Sequence, residues 1–237
     1  QLGVNLANLV NQGTILADAN QALQIDPRNF FRNQGTVKVT GAGGLVHVGD
    51  YQQTAGVTAI DTKMTVTGSG NLLLEGGVLS GVGEIEFTTP GRGVINSGGQ
   101  VSAGASPGTL LVDGDYTQEA GGDLLVELDG DVQGVSYDLL LVDGDVSLAG
   151  ALTVDLGFPA DLSDLFTILT YTGTRTGTFD TLMVLAAGWE FDLIYDDLNQ
   201  SVHLAVTGVG PAPVPLPAGV WLLVSALGLL APRVRRS

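Results

Sequence analysis

Two stretches of the sequence are close copies of each other: LVHVGDYQQTAG at residues 45–56 and LLVDGDYTQEAG at residues 110–121, which begin 65 residues apart. A second pair, NQGTILADA from Asn11 and NQGTVKVTG from Asn33, begins 22 residues apart. One repeat of about 22 residues accounts for both distances, since three such repeats give nearly 65. Each unit holds a short alternating run, such as VKVT at residues 37–40, followed by glycine-rich turns.

Short strands that recur at this period predict a solenoid, in which each repeat stacks on the one before it. The 35 glycines agree with this, because glycine allows the positive φ values of tight corners. We therefore predict an all-β fold, with a right-handed parallel β-solenoid over residues 1–135. The sequence opens with QLGVNLANLV and lacks an initial Met and a basic leader, so we expect the solenoid to be N-terminally truncated.

From about residue 136 the repeat gives way to longer alternating runs, among them YDLLLVDGDVSLAGALTVDLG, WEFDLIYDD and SVHLAVTG. Such runs are typical of hairpins, and a solenoid needs a cap over its last edge. We predict a β-rich cap at residues 136–207. Residues 208–217, GVGPAPVPLP, contain four prolines and predict an extended linker.

Charge is distributed unevenly along the chain. All 25 acidic residues precede Pro211, together with six of the nine bases, so the body carries −19 and the remaining three arginines give the tail +3. An acidic body excludes a nucleic-acid partner, which requires a basic surface. The absence of cysteine excludes disulfides and thiolate metal sites.

Residues 218–237 predict a single hydrophobic C-terminal helix followed by an arginine-rich tail. From Ala212 to Pro232 the chain has 21 residues without a charge, and about 20 apolar residues are needed to span a bilayer. A buried core helix is the alternative, but a segment that is apolar all round favours a membrane span. The predicted membrane segment contains Val220, Trp221, Leu222, Leu223, Leu227, Leu229 and Leu230. Arg233, Arg235 and Arg236 then predict a topology with the tail in the cytoplasm and the acidic body outside.

The order of proline motif, apolar segment and arginine cluster resembles the PEP-CTERM sorting signal, which exosortase-type membrane enzymes recognise. The form VPLPA, followed by Trp-Leu-Leu, resembles the variant called VPLPA-CTERM, although Leu216 stands where the main family has glutamate. The motif residues are Val214, Pro215, Leu216, Pro217 and Ala218. The resemblance implies an exported protein that the C-terminal helix anchors in the inner membrane. An exosortase-type partner would then release it to the cell surface or extracellular matrix.

A second resemblance covers much of the body. The stretches GASPGTLLVDGDYTQEAGGDLLVELDG, YDLLLVDGDVSLAGALTVDL and FTILTYTGTRTGTFDTL are similar to the late passenger β-helix of autotransporter-type exported surface proteins. This implies an architecture and a location, whereas a fold alone implies no activity. We predict a non-enzymatic surface or matrix protein, with extracellular polysaccharide as a candidate partner. The alternatives are a secreted polysaccharide-active β-helix enzyme with the same tail, and a single-pass membrane protein that is not processed.

The tripeptide Asp-Gly-Asp occurs three times, and the neighbouring carboxylates resemble the ligands that calcium prefers. Asp-Gly is also a favoured turn dipeptide, and the spacings of an EF-hand or a calcium-binding nonapeptide are absent. We predict structural turns, with a weak calcium site as the alternative. The candidate ligands are Asp113, Asp115, Asp129, Asp131, Asp143 and Asp145.

The sequence predicts no catalytic residue and no required cofactor. His47 and His203 lie in separate alternating runs, LVHVGD and SVHLAV, and we expect both to face outwards. No nucleophile elbow supports a Ser-His-Asp site.

Overall fold

The structure is a computed structural model that describes residues 2–3, 5–104 and 107–210. These residues form three β-sheets, and no helix occurs among them. Accordingly, no described helix is long and apolar enough to cross a membrane. The predicted C-terminal helix falls at residues 218–237, outside the described part of the chain.

We name the sheets I, II and III in the order in which the chain first enters them. Sheet I contains β1 (Leu9–Asn11), β4 (Phe31–Asn33), β7 (Tyr51–Gln53), β10 (Leu72–Leu74), β13 (Gly93–Asn96), β16 (Asp115–Gln118), β19 (Val146–Leu148) and β22 (Arg175–Gly177). Sheet II contains β2 (Thr14–Ala17), β5 (Thr36–Val39), β8 (Val57–Ile60), β11 (Val78–Ser80), β14 (Gln100–Ser102), β17 (Asp123–Leu128), β20 (Ala151–Leu156) and β23 (Thr181–Val184). Sheet III contains β3 (Leu23–Ile25), β6 (Leu45–Val48), β9 (Lys63–Thr67), β12 (Glu84–Phe87), β15 (Thr109–Asp113), β18 (Leu139–Val142), β21 (Leu165–Tyr171), β24 (Glu190–Asp196) and β25 (Ser201–Gly208).

The chain visits the three sheets in turn, and one strand from each makes one rung of a solenoid. From β1 to β23, every strand pairs in parallel with the strands of the rungs beside it. Asn11 pairs with Asn33, which confirms the repeat of 22 residues. Tyr51 and Tyr116 lie three rungs apart in one register, as the longer repeat predicts. The all-β fold with stacked parallel sheets is therefore confirmed.

The parallel solenoid extends beyond residue 135, where the sequence pattern predicts a change to a cap. Strands β18 to β23 pair in parallel with the preceding rung, so the runs predicted as hairpins are solenoid strands up to Val184. The repeat disappears from the sequence because a rung lengthens to 30 residues, the separation of Asp115 from Asp145. The added residues lie between sheets II and III, in the connections 103–108, 129–138 and 157–164.

The antiparallel cap is a hairpin of β24 and β25, much shorter than residues 136–207. Strand β25 pairs antiparallel with β21, so the hairpin continues sheet III past the last rung. Phe191 in β24 and Trp189 directly before this strand are buried, and the Tyr195 hydroxyl accepts a hydrogen bond from the Phe179 amide at 3.0 Å. At the C-terminal end of the stack, β22 and β23 each have a partner on one side only among the described strands, so the hairpin extends one of the three sheets at this end and leaves β24 as its edge strand.

A column of buried amides lines the corner between sheets I and II. Asn11, Asn33, Gln53, Asn96 and Gln118 each end the inward-facing row of a sheet I strand and are at most 9% exposed. Each donates to the carbonyl at the start of the sheet II strand in the next rung. The acceptors are Thr36 at 3.0 Å, Val57 at 3.2 Å, Val78 at 2.9 Å, Asp123 at 3.1 Å and Ala151 at 2.7 Å.

Leu74 interrupts this column, since it occupies the equivalent position in β10 and carries no donor. Its side chain is fully buried, as is that of Leu72 two residues earlier. The intervening Leu73 points outwards and is partly exposed. The strand therefore offers a matched comparison between buried and outward-facing leucines.

Replacing Leu72 by alanine should lower the free energy of unfolding by about 3 kcal/mol, because burial is lost and a cavity remains. Leu73→Ala, the matched control, should cost less than about 1 kcal/mol, as usual for a surface position. Urea denaturation of both variants measures the difference. Equal losses would contradict the inward and outward assignment of β10.

His47 is fully buried, so the prediction that it faces outwards is wrong. Alternate residues of β6 point inwards, and Leu45 and His47 are both on the inward face. The polarity of the imidazole does not change which face it occupies. The imidazole lies against the rings of Phe31 and Tyr51, with centroid distances of 5.4 and 5.3 Å. Its Nδ1 donates to the Gly49 carbonyl at 3.0 Å, whereas Nε2 has no hydrogen-bond partner among the described residues.

Burial of the ring lowers the pKa of His47 to about 4. An unfolded histidine titrates near pH 6.5, so the unfolded chain takes up a proton first as the pH falls. Stability should therefore be lost between pH 6.5 and pH 4, by at most about 3 kcal/mol from this residue. Urea midpoints at pH 7.5 and pH 4.5 should differ less in His47→Leu than in the wild type. His203→Gln is the control. If the stability of His47→Leu depended on pH as steeply as that of the wild type, the lowered pKa of His47 would be contradicted.

Candidate functional site: the acidic corner

Two of the three Asp-Gly-Asp motifs stack on each other where sheet III passes into sheet I. We call residues 113–115, 143–145 and 172–174 the acidic corner, since they make this connection in three successive rungs. The centre of each tripeptide must be glycine, because the rungs stack so closely here that a Cβ atom would overlap the backbone of the preceding rung. A Cβ atom on Gly144 would lie 2.5 Å from the carbonyl oxygen of Gly114, and one on Gly173 would lie 2.7 Å from that of Gly144.

The aspartates of the acidic corner join one rung to the next by hydrogen bonds. The Asp115 Oδ1 atom accepts from the Asp145 amide at 2.9 Å. The Asp145 Oδ1 atom accepts from the amide and hydroxyl of Thr174, at 2.7 and 3.0 Å, and these bonds lower the pKa of Asp145. Asp143 accepts from the Thr172 hydroxyl at 2.7 Å. These contacts are those of structural turns.

The third motif, with Asp129 and Asp131, lies elsewhere. It begins the connection between β17 and β18, at the corner between sheets II and III. Asp113 and Asp143 are one rung of 30 residues apart and therefore lie at the same corner. Asp129 lies about half a rung after Asp113, at a different corner. The six candidate calcium ligands are therefore not one cluster: Asp113, Asp115, Asp143 and Asp145 lie at the acidic corner, and Asp129 and Asp131 do not.

Two further carboxylates, which the sequence analysis missed, join Asp113 on the outer face of sheet III. One oxygen each from Glu84, Glu86 and Asp113 lie within 4.8 Å of one another. Lys63 inserts its ammonium group beside them, 2.9 Å from Glu84 and 3.2 Å from Glu86. Burial, together with Asp143, Glu84 and Glu86, raises the pKa of Asp113. The run EIE, one rung before the first Asp-Gly-Asp, is the signal that could have identified this cluster.

The carboxylates of this cluster are oxygen ligands of the kind that calcium prefers, but the ammonium group of Lys63 already compensates the charge of Glu84 and Glu86. The remaining carboxylates repel one another, as like charges in register on adjacent strands do. Calcium binding at the acidic corner stays the alternative to structural turns.

An open groove follows the acidic corner around the last rungs. Its largest part, about 390 Å³, lies beside Tyr171, Arg175, Asp197 and Gln200. A part of about 240 Å³ borders Leu111 and Leu141 on sheet III, and one of about 170 Å³ lies on sheet I. The three parts adjoin one another, since Tyr171 lines both the first and the second part and Thr174 lines both the first and the third.

The largest part of the groove contains a hydrogen-bonded ion pair between Arg175 and Asp197. The Asp197 carboxylate accepts from the Tyr171 hydroxyl at 2.7 Å and from two nitrogens of Arg175 at 2.9 Å each. These contacts lower the pKa of Asp197. The guanidinium of Arg175 also lies 4.5 Å from the ring centre of Tyr195 in the cap, so the hairpin is fixed to the last rung here.

His203 takes part in a hydrogen-bonded row on the outer face of the cap. Its Nε2 lies 2.9 Å from the Ser201 hydroxyl and its Nδ1 lies 2.9 Å from the Thr167 hydroxyl. A catalytic base of the Ser-His-Asp kind has a carboxylate at this second nitrogen to stabilise the imidazolium. A threonine hydroxyl provides no such charge, so the contacts resemble a structural row more than a catalytic triad.

The tail residues that the sequence analysis selected lie outside the described part of the chain. They comprise the sorting motif Val214, Pro215, Leu216, Pro217 and Ala218, the apolar segment that follows it, and Arg233, Arg235 and Arg236. Comparison with known proteins adds no relative, since no protein-family model and no curated protein matches this chain.

Gly144→Ala should lower the free energy of unfolding by about 2 kcal/mol, because its methyl group would overlap the backbone of Gly114, whose carbonyl oxygen and carbon would lie only 2.5 and 2.6 Å away. Gly13→Ala is a matched control at another corner, where a Cβ atom would meet nothing within 4 Å. Thermal and urea denaturation of both variants provide the measurement. A Gly144→Ala protein as stable as the control would show that the corners are not closely stacked.

Proposed function

We propose that this protein is an exported, non-enzymatic β-helix protein of the cell surface or extracellular matrix, sorted through an exosortase-type signal. The observation that carries the proposal is the order of three features in residues 214–236: the VPLPA motif, an uncharged apolar segment and an arginine cluster. In this proposal the apolar segment forms a membrane helix, and the arginines keep its end in the cytoplasm.

The position of the last described residues supports a body that stands away from a membrane. Gly210 lies against Ala187 and Trp189 at the capped end of the solenoid, where a Cβ atom would be 2.5 Å from the Ala187 carbonyl oxygen. The proline-rich linker follows directly. The last described residue therefore lies at one end of the stacked rungs, and the proposed anchor would hold the body by that end.

Hydrogen bonding in the groove supports a structural role for its charged groups. Arg175, Asp197 and Tyr171 bond to one another, and the Asp145 carboxylate is bonded to Thr174. Groups that exchange protons in catalysis need a pKa near the working pH, and hydrogen bonds shift those of Asp145 and Asp197 downwards, away from it.

Replacing Pro215 and Pro217 together by alanine should block release, because the recognition motif would be lost while the membrane segment and arginines remain. The full-length chain should then accumulate in the inner membrane of the producing cells. Pro211→Ala with Pro213→Ala is the matched control in the same linker, and it should be processed normally. Intact-mass measurement of membrane and surface extracts distinguishes the two forms.

Two results would contradict the proposal. Recovery of only the full-length chain from the surface of wild-type cells would exclude processing and favour a permanent membrane anchor. Depolymerisation of a polysaccharide by the purified chain, abolished by a single acidic substitution, would favour the enzyme alternative.

A further inference from the structure

A row of hydroxyl groups lines the sheet I part of the groove. Thr117, Ser147 and Thr176 lie in register on β16, β19 and β22 and point away from the core. In earlier rungs the same row holds the larger apolar residues Leu73 and Ile95. The change to short side chains opens the depression of about 170 Å³ on this face.

A second row of acceptors runs parallel to the hydroxyls, one step nearer the acidic corner. It consists of Asp115, Asp145 and Thr174, which also line the depression. The hydrogen bonds between described residues at Asp115 and Asp145 use Oδ1, so Oδ2 of each carboxylate has lone pairs for a ligand. Both rows repeat at the strand spacing of about 4.8 Å.

The negative charge of the groove determines which class of ligand it can bind. The only cation that lines the two parts along sheet I and the cap is Arg175, among the described residues, and Asp197 neutralises it at 2.9 Å. The carboxylates of Asp115 and Asp145 remain, within a body of strongly negative net charge. A polyanion would be repelled here, as like charges across an interface are unfavourable.

We propose that this groove binds a neutral, hydroxyl-rich glycan chain along the last three rungs of sheet I. Sugar hydroxyls donate to the free carboxylate oxygens and exchange hydrogen bonds with the threonine and serine hydroxyls. Because both rows repeat once per rung, the first two rungs present the same pair of carboxylate and hydroxyl to successive sugar units, and the third presents the hydroxyls of Thr174 and Thr176. The inference rests on the proposed matrix location and specifies the surface that would contact the matrix.

Binding is measured with the full chain in mild detergent, by calorimetry and by retardation in gels that contain glycan. The probes are dextran and soluble cello-oligosaccharides, with carboxymethyl-dextran as the anionic counterpart of the first. The wild type should bind at least one neutral probe and should bind carboxymethyl-dextran more weakly than dextran.

Ser147→Leu should weaken binding about tenfold, about 1.4 kcal/mol, because it fills the depression and removes the central hydroxyl. Ser147→Thr keeps the hydroxyl and should retain most of the affinity. Ser80→Leu is the matched control, since Ser80 is an outward-facing serine on the central strand β11 of sheet II. Asp115→Asn keeps the Oδ1 acceptor for Asp145 and replaces the free oxygen by a donor, so it should also weaken binding.

Absence of binding to both neutral probes would overturn the inference, as would tighter binding of the anionic polymer or equal affinities of Ser147→Leu and Ser80→Leu. The outcome of these binding measurements does not depend on whether the chain is sorted and processed. A chain that is released at the surface but binds no neutral glycan defeats the groove alone, whereas one that binds glycan without being processed defeats the sorting proposal alone.

Discussion

The fold depends on side-chain amides that satisfy buried backbone carbonyls where one rung passes to the next. A solenoid of short strands brings its corners close to the core, and a buried carbonyl without a donor is costly. Asn33 and Gln53 solve this by donating to Val57 and Val78, at the start of the following sheet II strands. The same amide group that fills the corner therefore also fixes the position of the next rung.

The corner between sheets I and II, which this column lines, keeps short connections of two to four residues, and the largest variation in length lies at the other corners. The connections between sheets II and III grow to ten residues at 129–138 without disturbing the strands on either side. Buried Asp138 secures that connection by accepting from the amides of Gly108 and Glu127. The acidic corner keeps single glycines at its centre, so its aspartates and threonines remain in register and form the groove.

The sequence predicts the solenoid because the inward positions Asn11 and Asn33, or Tyr51 and Tyr116, recur at a constant period. It does not predict how far the solenoid extends, since a change from 22 to 30 residues per rung removes the period while strand pairing continues. The site shows the same division. Asp-Gly-Asp is recognisable as a turn, but which of the three motifs stack on each other depends on the number of residues per rung. Likewise, the burial of His47 depends on which face of β6 points inwards, and the sequence around it does not fix that.

Leu74 gives one junction between rungs a different physical character from its neighbours. Where an amide is present, adjacent rungs are joined by hydrogen bonds as well as by packing, whereas at Leu74 the inner corner relies on apolar contact. Apolar contact weakens on cooling. Leu148 in β19 is a second buried apolar residue at this position of the column. In a solenoid whose stability is a sum over neighbouring rungs, the junctions at β10 and β19 are then those whose relative strength changes most with temperature, so cold and heat would part the stack at different places.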